Sequence, residues 1–129
     1  MLSLDASAID ALGRWLIVVA FLIAGVSNLT RARVKDHIDR MSLFKTPFPT
    51  ACFWIGIAMQ FSGCAMLLTE RYAGVGAWLL LIFTVLATAI FHRFWQMSDP
   101  MKRNISRLML LNNTAIVGGL LLLLQNTTR

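Results

Sequence analysis

The groups in this chain that could do chemistry are few, neutral, and set inside long apolar stretches. They are Ser27 and Asn28; Gln60, Ser62 and Cys64; Thr84, Thr88 and His92; and Asn112, Asn113 and Thr114. A primary amide carries two donors and an acceptor, and a neutral imidazole carries one of each. Asn28, Gln60, Thr88, His92, Asn112 and Asn113 therefore suit hydrogen bonding, and two readings follow. They bond one another across helices, each bond contributing about 0.6 kcal/mol on average in a membrane protein. Or they line a polar pocket that binds something; no cofactor is fixed by them, and a quinone, whose carbonyls accept from amides and imidazole, is one candidate. His92 adjoins Arg93 and reads first as an interfacial histidine, with a proton shuttle or quinone ligand as the alternative. His37 sits in a charged segment and is expected to be solvated.

The sequence lacks the patterns that would give these groups a catalytic centre. It has no Cys-x-x-Cys, no H-E-x-x-H, no phosphate loop and no dinucleotide fingerprint. No histidine pair is placed to clamp a heme, and no metal site is expected. No acidic residue is expected within an apolar span, so proton-coupled transport lacks an obvious carrier. Cys52 and Cys64 lie on one apolar stretch. On a helix they would be about 18 Å apart, too far for a disulfide within the chain.

The elements that must position these groups follow from composition. The 129 residues are 57% hydrophobic and 14% charged, where a soluble domain is about a quarter charged. Charge-free intervals lie between Arg14 and Arg31, Lys45 and Glu70, Arg71 and Arg93, and Arg107 and Arg129. Each is close to the roughly 20 apolar residues a spanning helix needs, and lipid leaves no alternative to helix for a single span. The expected spans are about 12–30, 49–69, 73–94 and 106–125 in one domain covering 1–129, with the Arg14 head snorkelling outward. The fold class is thus all-α, an integral membrane four-helix bundle. Trp15 and Trp78 fall near one membrane face, and Trp54 and Trp95 near the other; they are the expected interface anchors.

The segment 32–44 repeats Val34, Ile38 and Met41 at helical spacing between charged residues, which predicts a short amphipathic surface helix between spans 1 and 2. Thr46 through Pro49 ends it. Ser98-Asp99-Pro100 predicts a turn. Alanine and glycine pairs four apart (Ala20 and Ala24, Ala73 and Ala77, Ala115 and Gly119) predict close helix approach. The net charge of +6 comes from basic loops and does not point to nucleic acid. Nine basic residues fall in the loops 31–48 and 95–106 or at their edges, against Arg14, Arg71 and Arg129 on the opposite face. That asymmetry predicts cytoplasmic loops and both termini outside. The N-terminus carries Asp5 and Asp10 without a basic n-region, so the first apolar stretch is expected to remain in the mature protein.

Several motifs in order resemble one family. Gly13-Arg14 opening the first span with Phe21 to Gly25, Ile38 to Met41 followed by Pro47 and Pro49, Phe61 to Gly63 with Leu67-Leu68, Phe91 to Trp95, and Leu111 to Asn113 with Gly118 to Leu122 are similar to the DoxX family of small prokaryotic membrane proteins. The resemblance implies a multi-pass protein of the prokaryotic inner membrane. It also implies an acidic residue at the position of Gln60 and lysines at those of Asn28 and Asn112. Here all three are amides, so an uncharged hydrogen-bond network is expected in place of an ion-pair network. The glycine- and proline-containing tail of the family has no counterpart in 125–129.

Some members of that family resemble subunits of thiosulfate:quinone oxidoreductase. The functions implied are an accessory, non-catalytic subunit of a larger membrane redox complex, with other membrane subunits and the lipid bilayer as partners; or a membrane subunit of a quinone-reactive oxidoreductase. A small transporter is the weakest of the three, because four helices leave little room for a pore.

Overall fold

The computed structural model describes residues 6–127; Asp5 and Arg129 lie outside them. Five α-helices form: α1 (Ala6–Ser27), α2 (Arg31–Leu43), α3 (Pro49–Leu67), α4 (Ala73–Phe91) and α5 (Pro100–Thr127), with a 3-10 turn at Phe94–Gln96. Four helical segments are long and apolar enough to cross a membrane: Ser7–Ser27, Pro49–Leu67, Ala73–Gln96 and Pro100–Thr127. The protein is an all-α, multi-pass membrane bundle.

In the bundle α1 packs against α3, α3 against α4 and α4 against α5. The tightest seam is α3 on α4. A Cβ on Gly76 would lie 2.6 Å from the Leu67 nitrogen and 2.7 Å from the Gly63 carbonyl oxygen. Both atoms are backbone, so only glycine lets the two helices cross this closely. Ala73 and Ala77 are buried beside it. The pairs Ala20 and Ala24, and Ala115 and Gly119, do not serve this purpose: both alanines of α1 border an open space between the helices, Ala115 is exposed, and nothing lies within 4 Å of a Cβ on Gly119. Helix spacing alone did not show which faces would meet.

At the end of the bundle holding the α3–α4 hairpin, the four spanning helices share one core. Val18 and Phe21 of α1, Cys64 and Leu67 of α3, Ala77 and Leu80 of α4, and Leu120, Leu123 and Leu124 of α5 are buried together. The Thr69 hydroxyl closes the hairpin, donating to the Met66 carbonyl at 2.7 Å and accepting from the Tyr72 amide at 3.0 Å.

The helices run beyond the spans read from charge. α1 begins at Ala6, so Asp10 lies on a spanning helix, contrary to the expectation that no acidic residue would. Arg14, one turn on, pairs with it at 2.8 Å, and the same guanidinium donates to the Leu67 carbonyl at the end of α3, at 3.4 Å. Arg14 therefore turns inward instead of snorkelling, because a carboxylate and a free helix-end carbonyl both await it. α5 starts at Pro100, not near residue 106. The Asp99 carboxylate accepts from the Met101 amide at 3.4 Å, so Asp99-Pro100 is a helix start with proline in the first turn where a turn had been expected.

α2 is capped at both ends. The Thr30 hydroxyl accepts from the Arg33 amide. At the other end, the Lys45 amide reaches Ser42 and the Thr46 amide reaches Met41, the Schellman pattern, with Lys45 in the left-handed position at φ 60° where glycine is usual. α2 packs on α3 and α4, so it is a docked helix as well as an amphipathic one.

Candidate functional site

At the α2 end of the bundle the helices enclose a cavity of about 640 Å³. α1 supplies Phe21, with Asn28 just past its end; α3 supplies Phe53 and Gln60; α4 supplies Phe83 and Phe91, with His92 at its C-cap; and α5 supplies Asn112 and Asn113. α2 contributes His37, Arg40 and Met41. The volume lies within the range of small-molecule sites, which are mostly apolar with a few placed polar groups.

Gln60 holds the deep end and is 1% exposed. Its Nε2 donates to the Phe21 carbonyl at 2.8 Å. That oxygen already closes a turn of α1, so the amide docks on a helix backbone and ties α3 to α1. Gly25 permits the approach: a Cβ there would lie 3.3 Å from the Gln60 amide carbon and nitrogen. Because Nε2 must face a carbonyl, Oε1 is oriented away from it, and it is buried with no hydrogen-bond partner.

On the opposite wall a relay of hydroxyls runs along α4. Asn113 Nδ2 donates to Thr88 Oγ1 at 2.9 Å. Thr88 donates to the Thr84 carbonyl, and Thr84 donates to the Leu80 carbonyl, both at 2.7 Å. Thr88 thus sits behind the cavity wall, joining α4 to α5. The remaining amides do not form the expected network: among the described residues no hydrogen bond joins Asn28, Gln60 and Asn112. Each stands on a different wall, and Gln60 finds a backbone carbonyl nearer than another amide. Asn28, Asn112 and His92 line the cavity, and among the described residues no hydrogen bond engages their side chains.

The sequence did not single out the roof. His37, expected to be solvated, packs on Phe53 and Phe91 with ring centroids 5.8 and 5.0 Å away. Its Nδ1 lies 2.7 Å from the Arg33 carbonyl, which can only accept, so Nδ1 carries a proton and donates it. The Arg40 guanidinium donates to the Phe91 carbonyl at 3.2 Å and lies 5.3 Å from that ring. It thereby caps the last turn of α4 from a different helix. The signal available in sequence was the spacing of His37 and Met41, one turn apart on α2. What was not available was which side of α2 would meet the bundle.

The four tryptophans lie on outward faces, each about half exposed: Trp15, Trp54, Trp78 and Trp95. None lines the cavity. Cys52 and Cys64 are both free.

Against this geometry the comparisons with known proteins are narrow. The model of the DoxX family matches residues 9–93. The chain belongs to the DoxX family. No curated protein and no solved structure matches it. The DoxX match covers α2, α3, α4 and nearly all of α1. α5, with Asn112, Asn113 and the motif at 111–122, lies outside the matched residues. In this DoxX protein the cavity therefore joins three walls and a roof inside the family match to one wall beyond it.

Proposed function

We propose that this DoxX protein is the membrane subunit of a redox complex and that its cavity holds the headgroup of a quinone. The observation that carries this reading is the cavity itself. Four phenylalanine rings border it (Phe21, Phe53, Phe83 and Phe91), while Asn28, His92 and Asn112 hold unspent hydrogen-bonding capacity at its edge. Flat apolar walls accept a ring, and amide and imidazole donors reach its carbonyls. The electrons would pass to or from a partner subunit. Charge asymmetry supports placing the α2 end on the cytoplasmic side of a prokaryotic inner membrane.

The test is binding of a short-chain quinone to the protein in nanodiscs, against protein-free nanodiscs. Saturable binding is expected. His92→Ala should weaken it by about tenfold, the loss of one good hydrogen bond. Binding no greater than to empty nanodiscs, or an unchanged affinity in His92→Ala, would overturn the reading.

A further inference from the structure

A second concavity lies outside the bundle, away from the cavity wall. It is a groove of about 460 Å³ bounded by Leu29, Arg31, Val34, Lys35, Ile38, Asp39 and Trp54. Its floor is apolar: Leu29 from the α1–α2 connection, Val34 and Ile38 from α2, and Trp54 from α3. Along its rim Arg31 and Lys35 stand one helical turn apart, so their side chains are neighbours, and both are exposed. Among the described residues neither has a carboxylate within 4 Å: Asp36 turns to Arg40 at 3.8 Å, and Asp39 pairs with no cation.

We propose that this groove binds one anionic phospholipid of the surrounding bilayer. The charge count favours it. Arg31 and Lys35 contribute two positive charges and Asp39 one negative, which leaves +1 to meet the single negative charge of a phosphodiester. The two cations can hold the phosphate oxygens from either side, as point charge and planar fork. The apolar floor takes the start of an acyl chain, and exposed Ile23 and Val26, at helical spacing from Leu29 along α1, continue the apolar surface. Trp54 stands at the level where an indole prefers the headgroup boundary. Free phosphate would leave this floor uncovered, so the bilayer is the source. The site is independent of the cavity and of what the cavity holds.

The test uses the protein with Trp54 as its sole tryptophan (Trp15, Trp78 and Trp95 replaced by Phe) in phosphatidylcholine nanodiscs. Brominated phosphatidylglycerol is titrated in and Trp54 fluorescence is followed. Saturable quenching at low mole fraction is expected, absent with brominated phosphatidylcholine. Arg31→Gln with Lys35→Gln should weaken the effect about thirtyfold, roughly fivefold for each basic side chain at an anionic surface. Lys102→Gln with Arg103→Gln removes the same charge from the same end of the molecule and should change it less than about twofold. Equal quenching by the two lipids, or an equal loss in the control pair, would overturn the site and show only diffuse surface attraction. Retention of phosphatidylglycerol by the full four-tryptophan protein in native mass spectrometry gives the same comparison if the sole-tryptophan form does not fold.

Discussion

Replacing Gln60 by methionine should make this protein more stable, although it removes a buried hydrogen bond. The bond lost is the one from Nε2 to the Phe21 carbonyl, at 2.8 Å. In a membrane protein such a bond contributes about 0.6 kcal/mol, and up to about 1.7. The same substitution removes Oε1, buried without a partner, and an acceptor left so costs about 1–3 kcal/mol. Methionine matches the length of glutamine and adapts to irregular space, so the shape change adds little. The second effect outweighs the first, and a net gain of about 0.5–2 kcal/mol follows. Gln60→Ala would show the opposite sign, because truncation opens a hole beside Phe21 and Phe61. Equilibrium unfolding in mixed micelles, followed by far-UV circular dichroism, measures both. A methionine variant less stable than the parent by more than about 1 kcal/mol would refute the reasoning, since Oε1 would then have to be bonded. A gain, together with weakened quinone binding, would mean that the amide is kept at this position at a cost in stability.

Two further substitutions test the frame around the cavity. Gly76→Ala places a Cβ 2.6–2.7 Å from backbone atoms of α3 that cannot yield as a side chain would; the same unfolding measurement should show a loss of about 1–3 kcal/mol. Lys45→Gly relieves a left-handed residue at φ 60° and should raise stability by about 1 kcal/mol in the same measurement.

How far the sequence could be read depended on which physical signal each feature carries. The spanning helices were legible because lipid imposes both their length and their apolarity, and those are properties of a segment alone. Asp99-Pro100 was misread as a turn because the same two residues serve a turn and a helix start, and only the chain that follows separates them. Arg14 was expected to snorkel because its partners were invisible: Asp10 was thought to lie outside the span, and the Leu67 carbonyl is more than fifty residues away in sequence. The polar residues within the spans could be named, but the network assigned to them was wrong. Asn28, Gln60 and Asn112 lie on three different helices, and the choice between bonding each other and bonding a backbone rests on ångströms.

From the order of residues alone came the solvent, the number of crossings, the amphipathic helix between the first two, and the pool of neutral groups from which a site could be drawn. Folding in three dimensions decided the rest: that Gly63 and Gly76 are where α3 and α4 touch, that His37 and Arg40 roof the cavity, and that Gln60 turns its nitrogen to α1. The reason is that hydropathy is summed along a segment, whereas contact depends on the rotation of each helix about its axis. In a bilayer that rotation is weakly marked in sequence, because outward and inward faces are both apolar.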